Sequence, residues 1–200
     1  DRLLRQRRKN PARETGWQEE RFLQRLPGGG RRAFPDRRRA LQPAVLRELW
    51  FHLTNRCNLS CRHCLFASAP GDQPELPTRT VLQRVAEACD QGCRVFALTG
   101  GEPFIHPGFG TIVDDILDRP EPHVAVLTNG TRLERFLPDI LRWGPDRFHL
   151  QLSLDGSPAR HDAIRGRGAF RELARQAACL RTHGFPFTVS MCVDAGNVED

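Results

Sequence analysis

No stretch of this 200-residue chain is apolar over the ~18 positions that a bilayer-crossing helix needs, so no membrane span is expected. An apolar h-region near Asp1 is missing as well, and with it any sign of a secretion signal. Lysine is nearly absent: Lys9 stands alone among 30 basic residues, and the rest are arginine. So one-sided a choice is read as coding composition rather than selection for an anionic partner, a hypothesis that codon usage in the source genome would test. The net charge of +6 is therefore poor support for nucleic-acid binding. The cysteine count of 7 is odd, which argues against a fully paired disulfide framework and for a reducing, cytoplasmic setting. The chain opens on Asp1 rather than methionine, from which a trimmed amino end is expected.

What is present falls into two parts. Residues 1–40 carry 13 Lys/Arg against 5 Asp/Glu, whereas residues 41–200 carry 17 against 19. Residues 1–43 read as a basic, largely irregular arm with a short helix over Thr15–Leu26, and residues 44–200 as a core domain. The arm is read as a flexible leader or the edge of an upstream module, with docking to an acidic partner as its functional alternative.

The core domain alternates between two hydrophobic periods. Strands are expected at Leu49–Thr54, Arg94–Thr99, His123–Thr128, Phe148–Leu154 and Phe187–Val193. Helices are expected at Thr78–Gln91, Phe109–Leu117, Leu133–Trp143 and Ala169–His183, the first stopped by Gly92. Strand–helix alternation with short connections predicts a parallel sheet with right-handed crossovers, in an α/β fold. The fourth strand sorts Leu150, Leu152 and Leu154 to one face and His149, Gln151, Ser153 and Asp155 to the other. A polar face on a parallel strand suggests a curved sheet, with helices outside and a wet cavity within. Thr188, Ser190 and Cys192 repeat the hint more weakly.

Three cysteines, Cys57, Cys61 and Cys64, follow the first strand within one short loop. Thiolates are the ligands of iron–sulfur clusters, and three of them leave one corner of a cubane [4Fe-4S] cluster open. The alternative is half of a structural zinc site. That reading wants a second closely spaced Cys or His pair, and none stands out downstream. Cys89, Cys93, Cys179 and Cys192 read as ordinary thiols, with a second cluster on Cys89 and Cys93 as a minor alternative. His52, His106, His149 and His183 lack partner spacing and are given no metal role.

The loop Cys57-x3-Cys61-x2-Cys64 after the first strand, with Gly100-Gly101-Glu102-Pro103 after the second, resembles the radical S-adenosylmethionine superfamily. The resemblance runs from about Leu49 to Val193, nearest to the subgroup of peptide and cofactor maturases with an extra cluster-binding carboxyl-terminal domain. It implies a partial (βα)6 barrel, a fragment short of its last strand, with Cys57, Cys61 and Cys64 on the cluster. S-adenosylmethionine would meet Gly100, Gly101 and Glu102 through its amino group, and His63, at a usually aromatic position, would lie near adenine. Ser153 and Asp155 would lie near the ribose, Thr128 and Asn129 would face the cofactor, and Arg165 would pair with its carboxylate. Val189–Val193 would border the adenine.

The resemblance further implies a radical enzyme that takes one electron from a donor such as flavodoxin or ferredoxin. Its substrate would be a ribosomal peptide, with heme or quinone-cofactor synthesis as the alternative small-molecule role. A zinc-binding structural module is the rival from another class.

Overall fold

A computed structural model of the chain describes residues 46–193 and residue 198. The expected basic arm and its helix lie outside the described residues. The core runs β1 (Glu48–His52), α1 (Thr78–Asp90), β2 (Val95–Thr99), α2 (Phe109–Leu117), β3 (His123–Thr128), α3 (Leu137–Trp143), β4 (Phe148–Ser153), α4 (Pro158–Arg165), α5 (Ala169–Thr182) and β5 (Thr188–Ser190). The 5 strands form one sheet in chain order, every neighbouring pair parallel.

One face of the sheet packs on the helices. Phe51, Phe96, Leu98, Val124, Val126, Phe148, Leu150 and Leu152 are buried there. They meet Val81 and Val85 of α1, Ile112 and Ile116 of α2, Ile140 of α3, and Leu173 and Leu180 of α5, the apolar stripes of those helices. Burying each such side chain contributes roughly 1.5–3 kcal/mol. The opposite face is wetter. Trp50, Ala97, Ala125 and His149 stand in one row across β1–β4, and Gln151 pairs with Thr188 on the row above. Trp50 is 56% exposed, His149 is exposed, and Gln151 is half-buried.

Helix ends follow local chemistry. After α1 the N–H of Gly92 donates to Cys89 O at 2.9 Å and that of Cys93 to Ala88 O at 2.9 Å. This double bond is the Schellman arrangement, and Gly92 supplies the positive φ (88°) that it needs. The same pair recurs after α5, from Gly184 to Arg181 and from Phe185 to Leu180.

The structure departs from the sequence reading in three places. The single helix expected over Leu133–Trp143 is a 3-10 turn, Leu133–Phe136, followed by α3. Pro138 explains the break, because it has no N–H for the Glu134 carbonyl and its ring would collide with it. The fifth strand is ordered as strand only over Thr188–Ser190, and all three residues are exposed. Helix α4 is an element that the sequence reading does not include. Its start is marked by Pro158 in the first turn after Ser157, but a single residue, His161, is buried, so no apolar stripe signals it.

Candidate cluster and cofactor site

The candidate residues gather where the strands end. Chain leaving β1 forms a long loop to α1, pinned by bridges from Thr54 to Glu75 and from Arg56 to Ala69. This loop holds Cys57, Cys61 and Cys64, all as free thiols. Its backbone is hydrogen-bonded to the end of β2, where Gly101 N–H donates to Thr54 O at 2.6 Å and Glu102 N–H to Arg56 O at 3.0 Å. A Cβ on Gly100 would lie 2.5 Å from Thr54 O, and one on Gly101 would lie 2.3 Å from Arg56 O. Both glycines are therefore required by the cysteine loop itself, and Gly100 also holds φ at +142°.

Glu102 is fully buried. Its carboxylate accepts from Phe104 N–H at 3.2 Å, Thr128 Oγ1 at 2.8 Å and Asn129 N–H at 2.9 Å, tying the end of β2 to the end of β3. Burial pushes its pKa up to about 7, against the lowering effect of those donors. Asn129 extends the tie. Its Nδ2 donates to Asn58 Oδ1 at 3.1 Å and reaches Cys57 Sγ at 3.8 Å, and its Oδ1 accepts from Thr131 N–H and Oγ1 at 3.0 and 2.6 Å. Asn58 closes the ring by donating to Thr131 Oγ1 at 2.8 Å.

A second cluster lies at the end of β4. Asp155 is buried, and its Oδ2 accepts from Arg165 Nε at 2.6 Å and lies 3.4 Å from His63 Nε2. Burial raises the Asp155 carboxyl, yet the Arg165 bond and charge outweigh it and hold the group below its ordinary value. Arg165 closes α4, and the Arg62 N–H donates to Ile164 O at 3.0 Å, so this helix docks the middle of the cysteine loop. His63 and Cys192 both line a cavity of about 290 Å³. Ser153 is half-buried at the end of β4, in register with Ser190 of β5.

The three thiols differ. Cys57 is buried and pushed up to about 11 by that burial, and its sulfur accepts from Leu59 N–H at 3.4 Å. Cys61 is raised by burial, with Arg165 pulling the other way. Cys64 is also desolvated, but donors at Phe66, Ala67 and Ser68 more than offset this and lower it. The Ser68 N–H donates to Cys64 Sγ at 3.3 Å. Among the described residues no three His, Cys, Asp or Glu side chains converge on one metal-ion position. A cubane cluster asks for less, because each thiolate meets a different iron. Three reduced thiols on one loop, with N–H groups aimed at sulfur, fit such a cluster; a tetrahedral zinc ion needs a fourth donor.

Other groups are accounted for elsewhere. His106 bonds Leu76 O at 2.8 Å and accepts from Gly108 N–H at 3.1 Å, and His161 Nδ1 accepts from Asp155 N–H at 3.1 Å. Sequence reasoning missed Asn58 and Thr131, which carry no motif and are revealed only by the approach of the two strand ends. Among the described residues no helix is long and apolar enough to cross a membrane.

The profile of the Radical SAM superfamily matches residues 51–200, and the chain belongs to that family of iron–sulfur enzymes, whose members bind a [4Fe-4S] cluster and S-adenosylmethionine. The antilisterial bacteriocin subtilosin biosynthesis protein AlbA of Bacillus subtilis strain 168 is 33% identical over 150 residues, 74% of this chain and 33% of AlbA. The mycofactocin maturase MftC of Mycobacterium tuberculosis strain H37Rv is 35% identical over 154 residues, 75% of this chain and 38% of MftC. Among solved structures, Streptococcus suis SuiB bound to S-adenosylmethionine shares the fold, with a TM-score of 0.61 at 16% identity over 73% of this chain and 34% of SuiB. The chain thus spans about a third of the length of the curated relatives it matches.

Proposed function

We propose that this chain is the cluster- and cofactor-binding part of a radical enzyme that modifies a ribosomal peptide. The observation that carries the reading is the joint between the two motifs: the cysteine loop and Gly100–Glu102 share backbone hydrogen bonds that leave no room for a Cβ at either glycine. Membership of the family and the names of AlbA and MftC support the peptide.

In this reading Cys57, Cys61 and Cys64 hold three irons and leave the fourth to the cofactor. When bound, the cluster would supply the electron for reductive cleavage of S-adenosylmethionine to methionine and a 5′-deoxyadenosyl radical, the chemistry by which a hydrogen atom would be taken from the substrate. The chain's own residues orient and enclose. The Glu102 carboxylate is engaged by Phe104, Thr128 and Asn129. It fixes the strand ends and leaves the cofactor ammonium to the Gly100–Gly101 backbone. Arg165 spends Nε on Asp155 and keeps further N–H donors for a carboxylate. His63 would flank the adenine, while Ser153 and Asp155 would serve the ribose. A one-electron donor such as flavodoxin or ferredoxin reduces the cluster.

The test is anaerobic reconstitution of the full-length protein with iron and sulfide, then dithionite and S-adenosylmethionine. Formation of 5′-deoxyadenosine is expected, with its loss in Cys61→Ala. One zinc per chain and no iron would instead establish a zinc module. A heme or quinone precursor converted in place of a peptide would retain the radical chemistry and replace the substrate.

A further inference from the structure

The Cys57 sulfur differs from the other two in its donors. Cys64 Sγ accepts from its own loop, the Ser68 N–H at 3.3 Å. Cys57 accepts one such bond, from the Leu59 N–H at 3.4 Å, and a side-chain amide from the turn after β3, Asn129 Nδ2 at 3.8 Å. That amide is not free to wander. Glu102 grips the Asn129 backbone N–H, Thr131 grips its Oδ1 twice, and Asn58 takes the other Nδ2 hydrogen. Gly130 follows with φ at +74°, and a Cβ there would meet Leu173 Cδ1 at 2.4 Å, so the turn that aims the amide is itself wedged against α5. Asn129 is buried, so water does not compete for the amide.

We propose that Asn129 is a positioning residue for the cluster: its side-chain amide, held by Glu102, Asn58 and Thr131, donates to the Cys57 sulfur and raises the reduction potential of the iron–sulfur centre. This rests on the reading of Cys57 as a cluster ligand, and it gives Asn129 the cluster rather than S-adenosylmethionine as its first object. The physics is that one-electron reduction adds negative charge to the sulfurs, and a donor aimed at sulfur stabilises that charge. An outer donor of this kind also orients the ligand. The network accounts for a burial that would otherwise be costly, because an Asn buried with open donors loses its hydration without recompense. Here both Nδ2 hydrogens and both Oδ1 sites have partners.

The experiment is a redox titration of the reconstituted full-length protein, followed by electron paramagnetic resonance and compared with Asn129→Ala and Asn129→Asp. Asn129→Ala is expected to shift the midpoint lower by about a tenfold change in the reduction equilibrium, about 59 mV for a one-electron couple. Asn129→Asp, similar in shape but anionic, should shift it further in the same direction. Equal midpoints in wild type and Asn129→Ala, at equal iron and sulfide content, would overturn the proposal. If neither variant holds a cluster, the wild-type protein labelled with 15N in its asparagine side chains decides: a nitrogen coupling on the reduced cluster is expected, and a spectrum without one overturns the assignment. A Cys57→Ala variant that keeps its full cluster would instead sink the reading of Cys57 as a ligand, a different failure from an unmoved potential.

Discussion

Glu102 and Asp155 are both buried carboxylates, at the ends of β2 and β4 on either side of β3, yet their surroundings shift their pKa values in opposite directions. Glu102 is hydrogen-bonded by dipoles, two N–H groups and a hydroxyl, and feels the Arg132 charge more weakly. Asp155 is met by the Arg165 guanidinium at 2.6 Å and by the His63 ring. Burial raises both; dipoles and the weaker Arg132 charge leave Glu102 up at about 7, while a guanidinium bonded directly to the carboxylate holds Asp155 down. The site thus has a half that is polar and near neutral beside Cys57, and a half that is ionic beside Cys61 and His63. The first fixes geometry; the second carries charge that an anionic group of a ligand can share.

The ionic half is broken most severely by Arg165→Ala. Asp155 would be left buried with its main counter-charge gone, which typically costs about 3–5 kcal/mol. Urea denaturation at neutral pH measures this, and a loss below about 1 kcal/mol would show that His63 and solvent already satisfy Asp155. Pairing Asp155→Leu with Arg165→Met should recover most of the loss, since two apolar groups leave no orphaned charge.

The polar half is sharpened by pH. The Glu102 carboxyl sits above its ordinary value of 4.5 in the folded protein, so its contribution is complete below about 4.5 and is lost as the pH rises through about 7. Asp155 runs the other way, with a contribution present above its ordinary 3.8 and lost as the pH falls through its lowered value. Glu102→Gln should remove a fall of about 3 kcal/mol between pH 4.5 and 8, read as the difference in slope from wild type. Absolute stability of that variant also carries a mismatch with the Asn129 N–H, which the slope does not see. Parallel slopes in the two proteins would mean that Glu102 is already ionised in the folded state.

Much of this arrangement was legible in the sequence, and the reasons are local. The β2, α2 and β3 patterns are strong because most of their apolar residues are buried at the period of the element. The cysteine spacing and Gly100–Glu102 stand out because few residue types tolerate those positions. What was not legible is long-range. The room cleared by Gly100 and Gly101 is filled by the backbone of Thr54 and Arg56, a close approach that no local pattern announces. The commitment of Glu102 to Thr128 and Asn129 needs the β2–β3 register, and Arg165 reaches Asp155 only because α4 exists. That helix buries one residue, so amphipathicity could not reveal it.

The contrast can finally be narrowed to arginine alone. Arg175 contacts Glu172 and Glu134, each at 2.7 Å, much as Arg165 contacts Asp155 at 2.6 Å. Their exposures differ, 51% for the Arg175 side chain and 12% for Arg165. In water the partners of Arg175 lose little when it leaves, because solvent and salt replace it. Arg175→Gln should therefore leave the urea midpoint within error of wild type, at low salt and in 1 M salt alike. If it destabilised the protein as much as Arg165→Ala, burial would not be the variable that separates the two pairs, and the ionic character assigned to the Asp155 half would need another cause.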